Sequence, residues 1–90
     1  MAAVLIPTVL RKYTSGIDQV SAQGGTVREV IDQLEKQFTG FTRNLYLENG
    51  ELKPFINVYV NDEDIRFLSD LDSPVEPEDT ITILPAIAGG

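Results

Sequence analysis

The residues with the clearest chemical potential are the two glycines at the end of the sequence, Gly89 and Gly90. They follow Pro85 in a segment, Ala-Ile-Ala-Gly-Gly, that no turn, cap or periodicity explains. Glycine has no Cβ, so this segment can thread a narrow channel and place its carboxylate against a bound nucleotide. Transfer of that carboxylate to AMP would create a good leaving group, which a sulfur nucleophile or an amine could displace. We expect modification at Gly90, with Ile87, Ala88 and Gly89 threading into a partner enzyme.

The composition excludes most chemistry that the chain could perform by itself. Without cysteine there can be no disulfide, zinc-thiolate site or cysteine nucleophile. Without histidine the commonest general base and metal ligand are also missing. A carrier needs none of these groups, so we expect a carrier with no catalytic residue of its own and not an enzyme.

The net charge of −7 is confined to the last third of the chain. Residues 1–60 hold six acidic and six basic side chains, whereas residues 61–90 hold eight acids against Arg66 alone. This distribution disfavours nucleic acid as a partner. It favours a protein with a basic docking surface, although the acids could equally serve only solubility. The run Asp62-Glu63-Asp64 lacks the spacing of a calcium loop, so no metal site is expected.

Apolar residues near the end of the last predicted strand are candidates for partner docking. Leu84 lies at the strand exit and Ile87 in the terminal segment. Exposed apolar side chains beside an extended segment can anchor a partner, although core packing of Leu84 is an equal alternative. Tyr59 and Phe67 could extend the same patch.

Five strands and one helix are predicted to position these residues. Strands are indicated at residues 3–12, 17–22, 55–60, 65–67 and 80–84, the last with Ile81 and Ile83 facing the core. A helix is predicted from Thr26 to Phe38, because Thr26 and Glu29 form a capping-box pattern ahead of an apolar stripe at helical spacing. Gly40 would end the helix, and Phe41, Leu45 and Leu47 would form a short helical turn over the core edge.

Strands that surround a single helix indicate an α+β fold. The β-grasp (ubiquitin-like) fold suits this order, with a mixed sheet of about five strands packed on one main helix and with the first and last strands paired in parallel. We expect one domain at residues 1–85 and a flexible segment at residues 86–90. The apolar N-terminus is too short for a membrane span and lacks the positive charge of a signal peptide, so a cytoplasmic location is expected.

Three stretches that span nearly the whole chain resemble a known family. They are IPTVLR at residues 6–11, FINVYVNDEDIRF at 55–67 and TITILPAIAGG at 80–90. The chain resembles the ubiquitin-like sulfur carriers of the MoaD/ThiS superfamily, and most closely their CysO branch. Residues 40–54 match the family least.

The resemblance implies that an E1-like enzyme of the MoeB/ThiF type adenylates Gly90 with ATP and that a sulfide source then converts it to a thiocarboxylate. In the CysO branch a PLP-dependent cysteine synthase and a metallopeptidase complete cysteine synthesis. Sister branches supply sulfur to molybdopterin, thiazole or tRNA. A ubiquitin-like protein modifier and a non-covalent β-grasp interaction module remain as alternatives.

Overall fold

The computed structural model describes residues 1–85, which form one mixed sheet with an α-helix on one face. The strands lie in the order β2-β1-β5-β3-β4. Their bounds are β1 Ala2–Leu5, β2 Gln19–Ala22, β3 Ile56–Val60, β4 Glu63–Asp64 and β5 Thr80–Pro85, and the helix α1 spans Val27–Gln37. Within residues 1–85, no helix has the length and apolar content that a membrane span requires.

The central strand β5 lies between β1 and β3. It runs parallel to β1, with Val4 opposite Ile81, and antiparallel to β3, with Val58 opposite Ile83. β1 and β2 pair antiparallel. The predicted β-grasp architecture, including the parallel pairing of the first and last strands, is therefore confirmed.

The core fills the space between α1 and the inner face of the sheet. The alternation of β3 and β5 directs every second side chain toward the helix. The fully buried members include Val4, Val27, Val30, Ile31, Leu34, Val58, Ile81 and Ile83. Burying each of these side chains contributes about 1.5–3 kcal/mol.

Helix α1 has the predicted N-terminal cap, but it ends at Gln37 with Phe38 as its C-cap, before Gly40. The Thr26 hydroxyl accepts a hydrogen bond from the Glu29 N–H at 3.2 Å. The Glu29 carboxylate accepts from the Gly25 N–H at 2.7 Å, one residue earlier than a standard capping box would require. Past the helix, Gly40 adopts a positive φ of 96°, which glycine tolerates without steric cost.

The prediction of a strand over residues 3–12 was wrong beyond Leu5. Residues Thr8–Tyr13 form a 3₁₀ helix that begins after Pro7, where the Leu10 N–H donates to the Pro7 carbonyl at 2.9 Å. Proline cannot donate to a strand ladder, and this turn places Leu10 in the core. Because the 3₁₀ helix occupies these residues, the β1–β2 connection is longer than predicted.

Residues 65–67 are also not the strand that was predicted. They form a 3₁₀ helix, Ile65–Phe67, and the strand that pairs with β3 is the preceding Glu63–Asp64. The Asp64 carboxylate accepts a hydrogen bond from the Arg66 N–H at 2.9 Å, which caps this helix and ends the strand.

Residues 41–54 cover one edge of the core largely as predicted. Phe41 and Leu45 are fully buried on either side of a short 3₁₀ helix at Thr42–Asn44. Leu47 was wrongly included in this turn: it lies beyond it and is 41% exposed. The turn at Asn49-Gly50 is confirmed by a hydrogen bond from the Gly50 N–H to the Leu47 carbonyl.

Candidate functional site

The site is organised by strand β5, which leads directly into the terminal segment. Its last residue, Pro85, lies opposite Ile56 of β3, so the strand extends one residue beyond the predicted end at Leu84. Ile81 and Ile83 hold the strand in the core. The predicted modification site Gly90 and the threading residues Gly89, Ala88 and Ile87 lie outside the described residues and stay predictions, as does the boundary between residues 85 and 86.

The start of β5 is held by a hydrogen-bonded turn. Asn61 has a positive φ of 57°, and its side chain accepts from the Thr80 N–H and donates to the Asp79 carboxylate, both at 3.1 Å. The Asp79 carboxylate also accepts from the Glu76 N–H at 2.9 Å. That backbone bond first, and the Asn61 bond second, lower the pKa of Asp79 because both stabilise its charged form.

The sheet face that points away from α1, here called the outer face, carries two of the predicted docking residues. Leu84 lies opposite Asn57, and Tyr59 lies opposite Thr82. Tyr59 and Leu84 are therefore diagonal neighbours, a spacing at which long side chains interact across strands. Leu84 is 47% exposed, which favours the docking alternative over core packing.

Phe67 joins this face at its β4 edge. It is 87% exposed and lines a depression of about 400 Å³ together with Tyr59, Asp62, Glu63 and Asp64. The structure thus brings Leu84, Tyr59 and Phe67 to one side of the molecule and places three acids at its rim. Among residues 1–85, no group of three His, Cys, Asp or Glu side chains is arranged to hold a metal ion.

Phe55 was missed by the sequence analysis. It is 57% exposed and directly precedes Ile56, the residue opposite Pro85. The predicted strand at residues 55–60 begins one residue later, at Ile56. Phe55 lies in the turn before β3, in which the Ile56 N–H donates to the Lys53 carbonyl at 3.0 Å. This turn presents the exposed Phe55 side chain next to the residue that pairs with Pro85.

Comparison with known proteins identifies the family. The ThiS family model matches residues 4–90. The chain is 46% identical over 89 residues to the sulfur carrier protein CysO of Mycobacterium tuberculosis, covering 97% of this chain and 96% of that protein.

Two further relatives extend the comparison. The crystal structure of the Amycolatopsis orientalis BexX/CysO complex contains a chain that matches with a TM-score of 0.94 and 50% identity, and both chains are covered completely. The small archaeal modifier protein 3 of Haloferax volcanii is 32% identical over 65 residues, covering 72% of this chain and 70% of that protein. The predicted resemblance is confirmed: the chain belongs to the ThiS family and is a homologue of the sulfur carrier proteins of the CysO type.

Proposed function

We propose that the chain carries sulfur as a thiocarboxylate on Gly90, formed after an E1-like adenylating enzyme of the MoeB/ThiF type activates this residue. The observation that carries the proposal is the attachment of the Gly89-Gly90 segment to the central strand β5, in a chain 46% identical to a sulfur carrier protein. Because β5 is a buried central strand, it is a rigid point of attachment for the segment that a partner enzyme binds.

The proposed reaction has two steps. A Gly90 carboxylate oxygen attacks the α-phosphorus of ATP, and pyrophosphate leaves as the acyl adenylate forms. A sulfur nucleophile from the sulfide source then attacks the acyl carbon and displaces AMP, which yields the thiocarboxylate once any group on sulfur is removed. This chain supplies only the acyl group, which accords with its lack of cysteine and histidine. ATP and the sulfide source belong to the partner reaction, and no cofactor is bound permanently.

The fate of the sulfur is proposed to be cysteine biosynthesis. The identity to CysO over nearly the full length supports this destination over molybdopterin or thiazole synthesis. The partners would then include a PLP-dependent cysteine synthase that takes the sulfur and a metallopeptidase that releases the cysteine.

The outer face is proposed to dock these partners through Leu84, Tyr59 and Phe67, together with Ile87 in the terminal segment. The support is the exposure of Leu84 and Phe67 and their link through Tyr59, which is a diagonal neighbour of Leu84 and lines the same depression as Phe67. Large side chains that bury into a partner contribute most of the binding free energy of an interface. Asp62, Glu63 and Asp64 at the rim would select a partner with basic residues at the matching positions.

Intact-protein mass spectrometry tests the function. The chain is incubated with a candidate E1-like enzyme, ATP and sulfide, and we expect a mass gain equal to the exchange of one oxygen for sulfur. A variant that lacks Gly90 is the matched control and should show no gain. Failure of the wild-type chain to gain mass with an enzyme that sulfurates a CysO protein in parallel would contradict the proposal.

A protein modifier is the second candidate. It is favoured by the 32% identity to a small archaeal modifier protein. In this case an amine of a target protein, not sulfur, would displace AMP. High-mass adducts that carry Gly90 on target lysines would then appear in the same experiment.

A further inference from the structure

Phe55 and Leu84 lie at the same end of the sheet as the start of the terminal segment. Phe55 is 57% exposed beside Ile56, and Leu84 is 47% exposed beside Pro85. Ile56 and Pro85 lie opposite each other across the β3–β5 pair. The two exposed apolar side chains therefore flank the point at which the chain leaves β5.

Arg66 fixes the backbone on both sides of Phe55. Its Nη2 donates to the Pro54 carbonyl at 3.4 Å and to the Ile56 carbonyl at 3.2 Å. Arg66 is itself positioned by Asp64, which accepts from its backbone N–H at 2.9 Å. The aromatic ring is thus presented on an ordered backbone, which lowers the entropy lost when a partner encloses it.

The length of the terminal segment limits where a partner can lie. Five residues separate Pro85 from Gly90, and they span about 17 Å when fully extended. An enzyme that holds the Gly90 carboxylate in its active site must approach Pro85 within this reach. Its surface around the channel that takes in the segment would then contact the side chains beside Pro85.

We propose that Phe55 is the apolar anchor by which the adenylating enzyme engages this chain, seated in an apolar pocket beside the mouth of the enzyme's channel. The inference rests on the proposed function and adds a residue and a contact to it. Arg66 is a positioning residue that acts through Phe55. An aromatic side chain that enters a pocket buries a large apolar area at the cost of only two side-chain torsions.

Steady-state adenylation kinetics test the proposal, with the carrier as the varied substrate and pyrophosphate release as the readout. For Phe55→Ala we expect a rise in KM of about tenfold with kcat unchanged. The contact of Phe55 with the enzyme contributes the same binding free energy in the ground state and in the transition state. Leu47→Ala is the control. Leu47 is also exposed, but it lines a depression with Glu35 of α1 on the helix side of the sheet, so its removal should leave KM unchanged.

Two more variants separate anchoring from folding. Phe55→Leu keeps an apolar side chain and should recover most of the affinity, whereas Arg66→Gln should raise KM less than Phe55→Ala does. Urea unfolding of each variant checks that the fold is retained. An unchanged KM for Phe55→Ala would overturn the inference while leaving the proposed function intact. Absence of adenylation of the wild-type chain would instead overturn the proposed function, and this inference with it.

Discussion

At the scale of single residues, two polar side chains on the helix side differ in how well they are satisfied. Glu35 near the end of α1 accepts hydrogen bonds from the N–H groups of Gly40 and Thr42 and from the Thr42 hydroxyl, at 2.8–2.9 Å. The Tyr46 hydroxyl is buried and has no hydrogen-bond partner among residues 1–85. These two groups should therefore respond to substitution in opposite directions.

Replacing Tyr46 with phenylalanine should maintain or raise stability. Burial first, and the charge of Asp32 second, raise the pKa of Tyr46 to about 12, so the group is neutral and the substitution removes only a hydroxyl. Since an unsatisfied buried hydroxyl costs about 1–3 kcal/mol, we expect a gain of up to about 1 kcal/mol in the free energy of unfolding. Urea unfolding measures it, with Tyr59→Phe on the outer face as the control. A loss above about 1 kcal/mol would mean that the hydroxyl is bonded in solution.

Glu35 should make part of the stability depend on pH. The Gly40 N–H first, and the Thr42 N–H and hydroxyl next, lower its pKa below 4.5 by stabilising the charged form. The contribution is therefore present above about pH 4.5 and is lost as the pH falls through the lower folded-state value. Glu35→Gln should lose less than about 1 kcal/mol at pH 7, because the carboxylate is only partly buried and solvent screens it.

This prediction is checked by measuring the unfolding midpoints of the wild-type chain and of Glu35→Gln from pH 7 to pH 3. The difference in midpoint between the two proteins should shrink below about pH 4.5. A difference that stays constant over this range would show that the charge of Glu35 does not contribute.

At the scale of elements, the turn between β3 and β4 ties together the start of the strand that leads to Gly90. The Asn61 N–H donates to the Thr80 carbonyl at 2.7 Å, and the Asn61 side chain accepts from the Thr80 N–H. The Asp79 carbonyl in turn accepts from the Ala3 N–H of β1 at 3.1 Å. One turn residue thus links β3 to β5 at the place where β5 meets β1.

Two substitutions at Asn61 separate its backbone role from its side-chain role. Asn61→Gly keeps access to the positive φ and loses the side-chain bonds, whereas Asn61→Ala loses both. Because alanine is disfavoured in this conformation, we expect Asn61→Ala to be less stable than Asn61→Gly by about 1 kcal/mol. Thermal unfolding gives the order. Equal stability of the two variants would indicate that the turn relaxes to another conformation.

At the scale of the whole molecule, the excess of acidic side chains lies next to the exposed apolar side chains of the outer face. The acids of residues 61–79 begin at the turn after β3 and include the rim of the Tyr59–Phe67 depression. Residues 1–60 are neutral overall. A partner that approaches the outer face therefore meets an apolar patch with acidic side chains at one edge, which favours rapid association with a basic surface.

Salt should weaken the engagement of the activating enzyme. We expect KM for the carrier to rise several-fold between 50 mM and 500 mM salt, because added ions screen the exposed acids at the interface. The double variant Asp62→Asn, Glu63→Gln should raise KM at low salt and show a smaller salt dependence, while Glu48→Gln, in the neutral part of the chain, should behave like the wild type. Identical salt curves for all three proteins would place the binding surface elsewhere.

Local patterns were sufficient to predict much of this protein from its sequence. The Thr26–Glu29 cap and the apolar stripe at helical spacing determined α1, and the alternation around Ile81 and Ile83 determined β5, because these signals act over a few residues. The Gly89-Gly90 terminus and the absence of cysteine and histidine predicted a carrier. The order of strands around a single helix indicated the β-grasp arrangement, and the resemblance of three stretches to the MoaD/ThiS superfamily implied the same fold.

Only the tertiary structure decided the features that depend on contacts between distant residues. Thr8–Tyr13 turns into a 3₁₀ helix because Pro7 cannot continue a ladder and Leu10 reaches the core there. The side chains of Leu84, Tyr59 and Phe67 share one face only through the register of β3 with β5 and through the turn after β4. Phe55 lies next to the end of β5 because Ile56 pairs with Pro85, which is 29 positions later in the sequence. Strand register is set by long-range pairing, and a local pattern does not contain it.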